Sequence, residues 1–150
     1  MLQERIEARW LEAFGRVLEM CALRRGEQVA VLSETQSRPV LTHLAEVAAG
    51  LAGATVCHVR VASPAQAAPV PVRSSGASRA LTGQGAAVAA LKAADLVLDC
   101  TVEGLLHARE LPEILKAGAR VLMVSNEHPE CLERLVPDPE MKERAKDAIG

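Results

Sequence analysis

Residues 94–110 read ADLVLDCTVEGLLHARE. The apolar run Leu96-Val97-Leu98 predicts a strand buried on both faces, the pattern of a parallel sheet covered by helices. It ends in Asp99 and Cys100, and a short loop then delivers His107 just before a new helix. In an open parallel α/β sheet, ligands occupy the crevice outside the carboxyl ends of the strands. Asp99, Glu103 and His107 therefore fall where such a fold keeps its chemistry. Gly104 allows the tight turn beneath them. An imidazole there suits proton transfer, because histidine is the side chain whose charge ordinarily changes between pH 5 and 8.

The flanking chain predicts the rest of an α/β fold, a parallel Rossmann-like sheet of four strands or slightly more, flanked by helices. Over 2–24, Leu2, Ile6, Trp10, Phe14, Val17, Leu18 and Cys21 recur at helical spacing. Arg24-Arg25 would occupy the last turn, with Gly26 just beyond. EQVAVLS (27–33) is a strand, and 35–38 a polar loop. Pro39 then opens a helix over 39–52 that buries Leu41, Leu44, Val47, Ala48 and Leu51 and stops at Gly53. A second strand at 54–61 completes a βαβ unit, hence a parallel pair. Residues 62–79, ASPAQAAPVPVRSSGASR, have no period. Thr82-Gly83-Gln84 opens the alanine-rich helix GAAVAALKAA. After the strand at 96–98 come a short helix at 111–117 closed by Gly118, a strand at 120–125, and a helix opened by Pro129 and capped by Ser125 or Asn126. The charged segment 137–150 is still helical at the last residue, which reads as the first lobe of a longer protein.

Composition excludes several functions. A chain of 150 residues suits one domain with one core. Trp10 and Phe14 are its only aromatic residues, too few for a base-stacking platform. A net charge of -2 gives no footprint for a polyanion, so nucleic acid is not an expected partner. There is no apolar run of transmembrane length and no signal-peptide core, so no membrane partner and a cytoplasmic location are expected. Cys21, Cys57, Cys100 and Cys131 are scattered without a CxxC pair, which argues against zinc or a disulfide framework.

Other candidates carry less. Glu127 and His128 occupy the loop after the fourth strand and would face the same crevice, so His128 joins Glu103 as a candidate substrate-binding residue. Ser33, Glu34, Thr35 and Gln36 follow the first strand, where a solvated loop is the plainer reading. His43 and His58 lie inside elements and read as structural; Cys100 reads as packing. Thr82-Gly83-Gln84-Gly85 lacks the context of a dinucleotide fingerprint, which sits directly between the first strand and its helix, and no Walker loop occurs.

The run ALTGQGAAVAALKAADLVLDCTVEGLLHARELPEILKAGARVLMVSNEHPECLERLVPDPEMKER (80–144) resembles the N-terminal region of the 2,5-dihydroxypyridine 5,6-dioxygenases, non-haem iron enzymes of nicotinate degradation. Their fold is related to that of the thermophilic metallo-aminopeptidases. The likeness is strongest in ALTG…AADLVLD, the LLH tripeptide and GARVLMVSNEHPE. It implies a two-lobed enzyme of aromatic catabolism acting on a small aromatic substrate, with Fe(II) held by a C-terminal lobe absent from these residues. It also implies a catalytic role for His107, the histidine of LLH, which reaches the substrate site from the N-terminal lobe. No cofactor-binding or metal-binding residue is expected within 1–150, and the chain alone is expected to be inactive. The partner is then the missing lobe or a further copy in a homo-oligomer. The alternatives are the N-terminal lobe of an aminopeptidase-like hydrolase and a non-enzymatic binding or dimerisation domain.

Overall fold

The computed structural model describes residues 5–65 and 77–134, together with Glu140, Arg144 and Ala148. The elements run α1 (Ala8–Met20), β1 (Gln28–Glu34), α2 (Pro39–Leu51), β2 (Thr55–Val61), α3 (Gly85–Ala93), β3 (Leu96–Asp99), α4 (Leu111–Lys116), β4 (Arg120–Met123) and α5 (Pro129–Arg134). The strands form one parallel sheet in the order β2-β1-β3-β4. The α/β architecture and the parallel sheet of four strands are therefore as the sequence predicts.

Burial follows strand position. Every residue of β3 is buried, as is all of β1 after Gln28, whereas β2 and β4 lie at the edges and are largely exposed or half-buried. Alternation along the strands divides the core in two. Val29, Val31, Leu96 and Leu98 pack with Trp10, Phe14 and Leu18 of α1 and with Leu41 and Leu44 of α2. Ala30, Leu32 and Val97 pack on the other face with Leu81, Leu91 of α3 and Ile114 of α4. Full burial of each such leucine contributes about 1.5–3 kcal/mol.

The strand order sets the site. β1 and β3 are neighbours although α2, β2 and α3 lie between them in the chain. The chain leaves β1 toward the α2 face and leaves β3 toward the α4 face. The loops diverge between these two strands, which makes their carboxyl ends the topological switch point.

Several predicted boundaries move. The first helix ends at Met20, so Arg24 and Arg25 lie beyond it rather than in its last turn. Its closure uses Ala22, at φ 55°: Ala22 N–H bonds the Glu19 carbonyl and Leu23 N–H the Leu18 carbonyl. That is the Schellman arrangement with alanine where glycine is usual. Gly26 instead donates to the Gly53 carbonyl in the turn preceding β1. Leu51, expected in the core, is 74% exposed at the end of α2. The fourth strand stops at Met123, and Ser125 takes φ 57°. Asn126 turns away from α5, and its Oδ1 accepts the Arg38 N–H at 2.8 Å. Residues 66–76 of the long loop, and all of 137–150 except Glu140, Arg144 and Ala148, lie outside the described residues.

The amino-terminal end of the sheet, opposite the switch point, is pinned by charge. Arg120 donates to both carboxylate oxygens of Glu27, at 3.2 and 2.8 Å, and its Nε reaches the Cys21 carbonyl at 3.1 Å. Arg24 N–H adds a bond to the same carboxylate. The Arg120 hydrogen bonds, then that of Arg24, hold the Glu27 carboxyl down to about 2. A carboxyl whose folded-state pKa is depressed stabilises the fold above its unfolded value and loses that contribution as pH falls. Glu27→Gln should therefore flatten the fall in urea midpoint between about pH 4.5 and about pH 2. An acid limb identical to the parent's would refute this role.

Candidate functional site

The switch point is organised by Asp99, the last residue of β3. Its side chain is fully buried, and burial pushes its carboxyl upward against the hydrogen bonds it accepts. Oδ1 accepts Thr101 N–H at 3.0 Å and the Thr101 hydroxyl at 2.6 Å; Oδ2 accepts Leu105 N–H at 2.8 Å. The carboxylate thus substitutes for a backbone partner on both sides of the β3–α4 loop. Gly104 completes the turn at φ 76°, and its carbonyl accepts Ser78 N–H. Asp99, a chemical candidate by position, is committed to holding the loop.

The same residue ties in the other loops. Its carbonyl accepts the N–H groups of Val124 and Ser125, which fixes the start of the β4–α5 loop. The adjacent Cys100 carbonyl accepts the Ser37 hydroxyl at 2.6 Å, and Ser37 Oγ accepts Glu34 N–H. Cys100 itself is buried, its thiol pushed up to about 12 by burial and then by Asp99 and Glu46. That agrees with a packing role.

On this frame His107 is exposed, just beyond the anchored Leu105, and takes no hydrogen bond or ion pair from the described residues. Leu106 beside it is 57% exposed. Glu103 is half-buried on the same loop, near enough to Glu34 for its charge to act there. The His128 ring meets Trp10 of α1 edge-on at 5.5 Å, and its Nδ1 accepts Glu130 N–H at 3.2 Å. These contacts place it between α1 and α5.

Glu34 is the group that sequence reasoning undervalued. The residue is only 5% exposed, as the last position of β1 rather than part of a solvated loop. Burial pushes its carboxyl up, hydrogen bonds from Val102 N–H and Ser63 oppose the shift, and the negative charges of Asp99 and Glu103 add to it. The available signal was alternation: extending the strand by one residue puts Glu34 on the face of Leu32. Ser33 is likewise buried in β1, whereas Thr35 and Gln36 are exposed as expected.

The carboxylates here do not fit an iron site. Among the described residues no group of three His, Cys, Asp or Glu side chains is arranged to hold a metal ion. The Asp99 oxygens are already engaged by Thr101 and Leu105. Among the described residues, also, no helix is long and apolar enough to cross a membrane.

Residues 9–150 match the 2,5-dihydroxypyridine 5,6-dioxygenase family, and the chain belongs to it. It is 36% identical over 141 residues to a 2,5-dihydroxypyridine 5,6-dioxygenase of Pseudomonas putida KT2440, an alignment covering 91% of this chain and 39% of the relative. The solved structure of 2,5-dihydroxypyridine dioxygenase from the same organism superposes with a TM-score of 0.80 at 34% identity, covering 93% of this chain and 40% of that one. The chain therefore spans about two fifths of the length of the relatives it matches.

Two substitutions test the frame. Asp99→Ala strands buried N–H groups of Thr101 and Leu105, at about 1–3 kcal/mol each, and should lower unfolding free energy by roughly 2–6 kcal/mol. A loss below about 1 kcal/mol would show that the loop does not depend on this carboxylate. Glu34→Gln should act with the opposite sign. A carboxyl raised in the fold costs nothing below its unfolded value; the cost grows as pH rises from there and is complete above the folded pKa. Relative to the parent, Glu34→Gln should gain melting temperature as pH rises from 4.5. A pH-independent difference would contradict the burial argument.

Proposed function

We propose that this chain is the N-terminal lobe of a ring-cleaving dioxygenase acting on 2,5-dihydroxypyridine or a similar hydroxylated ring, and that it presents His107 to the substrate. The observation that carries the reading is His107 itself, an exposed imidazole without a partner among the described residues, on a loop anchored by Asp99. The family and the extent of the match support the lobe assignment. The proposed ring cleavage is iron chemistry, and the donor set here does not supply it, so the iron belongs to the remainder of the longer protein. The reading places the enzyme in the cytoplasm, in keeping with four unpaired cysteines.

Within this lobe, the roles follow from hydrogen-bonding capacity. Neutral imidazole has one donor and one acceptor nitrogen. His107 can thus take a proton from a ring hydroxyl or donate a hydrogen bond to the oxygen left behind. Glu103, if ionised, only accepts, and suits a ring hydroxyl or N–H. The rigid turn from Asp99 to Leu105 keeps the imidazole from retreating, which is the positional control that proton transfer requires. Leu106 supplies apolar surface alongside it for a flat ring. His128, held against Trp10, is not assigned a part.

The test is His107→Gln in the whole protein loaded with iron. Loss of a general acid–base lowers kcat/KM about 10²–10⁴-fold. The exposed position means that melting temperature should stay at the parent value. Parent-like ring cleavage in a folded His107→Gln protein would remove the histidine from the mechanism.

A further inference from the structure

A second constellation lies on the opposite face of β1. Ser33 Oγ and His58 Nε2 are 2.6 Å apart, and His58 Nδ1 is 2.5 Å from Glu46 Oε1. The three residues come from three elements: the end of β1, the middle of β2 and the third turn of α2. The register brings the first two together. Val31 pairs with His58 and Ser33 with Arg60, so all four side chains share the α2 face, with Ser33 diagonal to His58.

The partners set the proton positions. A carboxylate only accepts, so Glu46 draws the hydrogen of neutral His58 to Nδ1. Nε2 is then left with its lone pair, and the Ser33 hydroxyl donates to it. A hydroxyl on a base that is itself oriented by a carboxylate is the arrangement that activates a serine nucleophile.

The surroundings suit acyl chemistry. A cavity of about 60 Å³ is lined by Ser33, Glu34, Ser37, Thr42, His58 and Arg60, with Pro39 at its side. A water molecule takes about 30 Å³ in the liquid, so the space admits a group of acetyl size. Arg60 has no ion pair or hydrogen bond among the described residues. Its guanidinium presents positive charge to the same small cavity.

We propose that Ser33, His58 and Glu46 form a nucleophile–base–carboxylate relay that hydrolyses esters of small acyl groups, at a site separate from His107. In the first half-reaction the Ser33 Oγ–carbon bond forms, the carbonyl electron pair moves to oxygen beside Arg60, and the hydroxyl proton passes to His58 Nε2. Collapse expels the alcohol, which takes that proton and leaves acyl-Ser33. Water then attacks the acyl carbon and gives a proton to Nε2. The carboxylic acid departs as Ser33 regains its hydrogen. Glu46 keeps the imidazole in register and balances its charge at each protonated stage. Water is the only co-reactant.

The experiment uses p-nitrophenyl acetate on the whole chain, following p-nitrophenolate release and mapping acetyl adducts by peptide mass spectrometry. The expected adduct is on Ser33. Release should fall about 100-fold in Ser33→Ala and in His58→Gln, the usual loss when a nucleophile or its base is removed. It should also fall in Glu46→Gln, and the rise in rate with imidazole deprotonation should vanish in His58→Gln. Acetylation confined to the exposed Cys57 or to lysines would overturn the proposal, as would parent-like release in folded His58→Gln. A purely structural Ser33–His58–Glu46 tie would change melting temperature without producing the adduct. The adduct map is read on the unsubstituted protein, so it decides the matter even if a variant fails to fold.

Discussion

The structure depends on one buried carboxylate that no cation among the described residues neutralises. Asp99 lies at the end of the central strand β3, fully buried. Desolvating a charge there is unfavourable, and the compensation is entirely hydrogen bonding from Thr101 and Leu105. The loop has to keep its conformation for the carboxylate to remain tolerable, and the carboxylate has to remain for the loop to keep it. That mutual requirement gives an irregular segment the definition of an element. With the Asp99 and Cys100 carbonyls receiving Val124, Ser125 and Ser37, the loops after β1, β3 and β4 all refer to one dipeptide.

The alternation of β1 separates two kinds of chemistry by one residue. Leu32 and Glu34 face the α3–α4 side, where Glu34 senses Asp99 and Glu103. Ser33 faces α2, where it meets His58. A single strand tip therefore contributes to the crevice between β1 and β3 and to a small polar cavity at the edge of β2. The edge position of β2 makes the second arrangement possible: His58 and Glu46 each keep about a third of their side chain exposed, at 31% and 34%. A central strand would have demanded an apolar residue in place of that imidazole.

Much of this was legible in the sequence, and what was not has a physical cause. Periodicity located the helices and strands among the described residues, since burial of one face is what the pattern encodes, but it overran the first helix, which spans Ala8–Met20 rather than 2–24. Strand order was not legible: residues 94–110 announce a buried strand but not that it lies beside β1. Helix closure at Ala22 carries no sequence signal, because glycine is the residue usual there and tertiary context holds an alanine at φ 55°. Leu51 looked like a core residue by spacing, yet as the last residue of α2 it is exposed. Asp99 stood out by position, but its use as a loop anchor depends on N–H groups of residues 101 and 105, which carry no side-chain signal.

Histidines show what position alone leaves undecided. His43, His58, His107 and His128 were read by the element carrying each, which took His43 and His58 together as structural. Partners separate them further. His43 is exposed on α2; His128 is fixed against Trp10; His58 is held at both nitrogens, between Ser33 and Glu46. His107 alone combines exposure, freedom from partners among the described residues and a rigid loop. A free imidazole on a fixed support is available to a molecule that is not yet there, whereas an imidazole between a hydroxyl and a carboxylate is already set to act on its neighbour. The two arrangements therefore differ in what each leaves open among the described residues: both ring nitrogens at His107, and neither at His58.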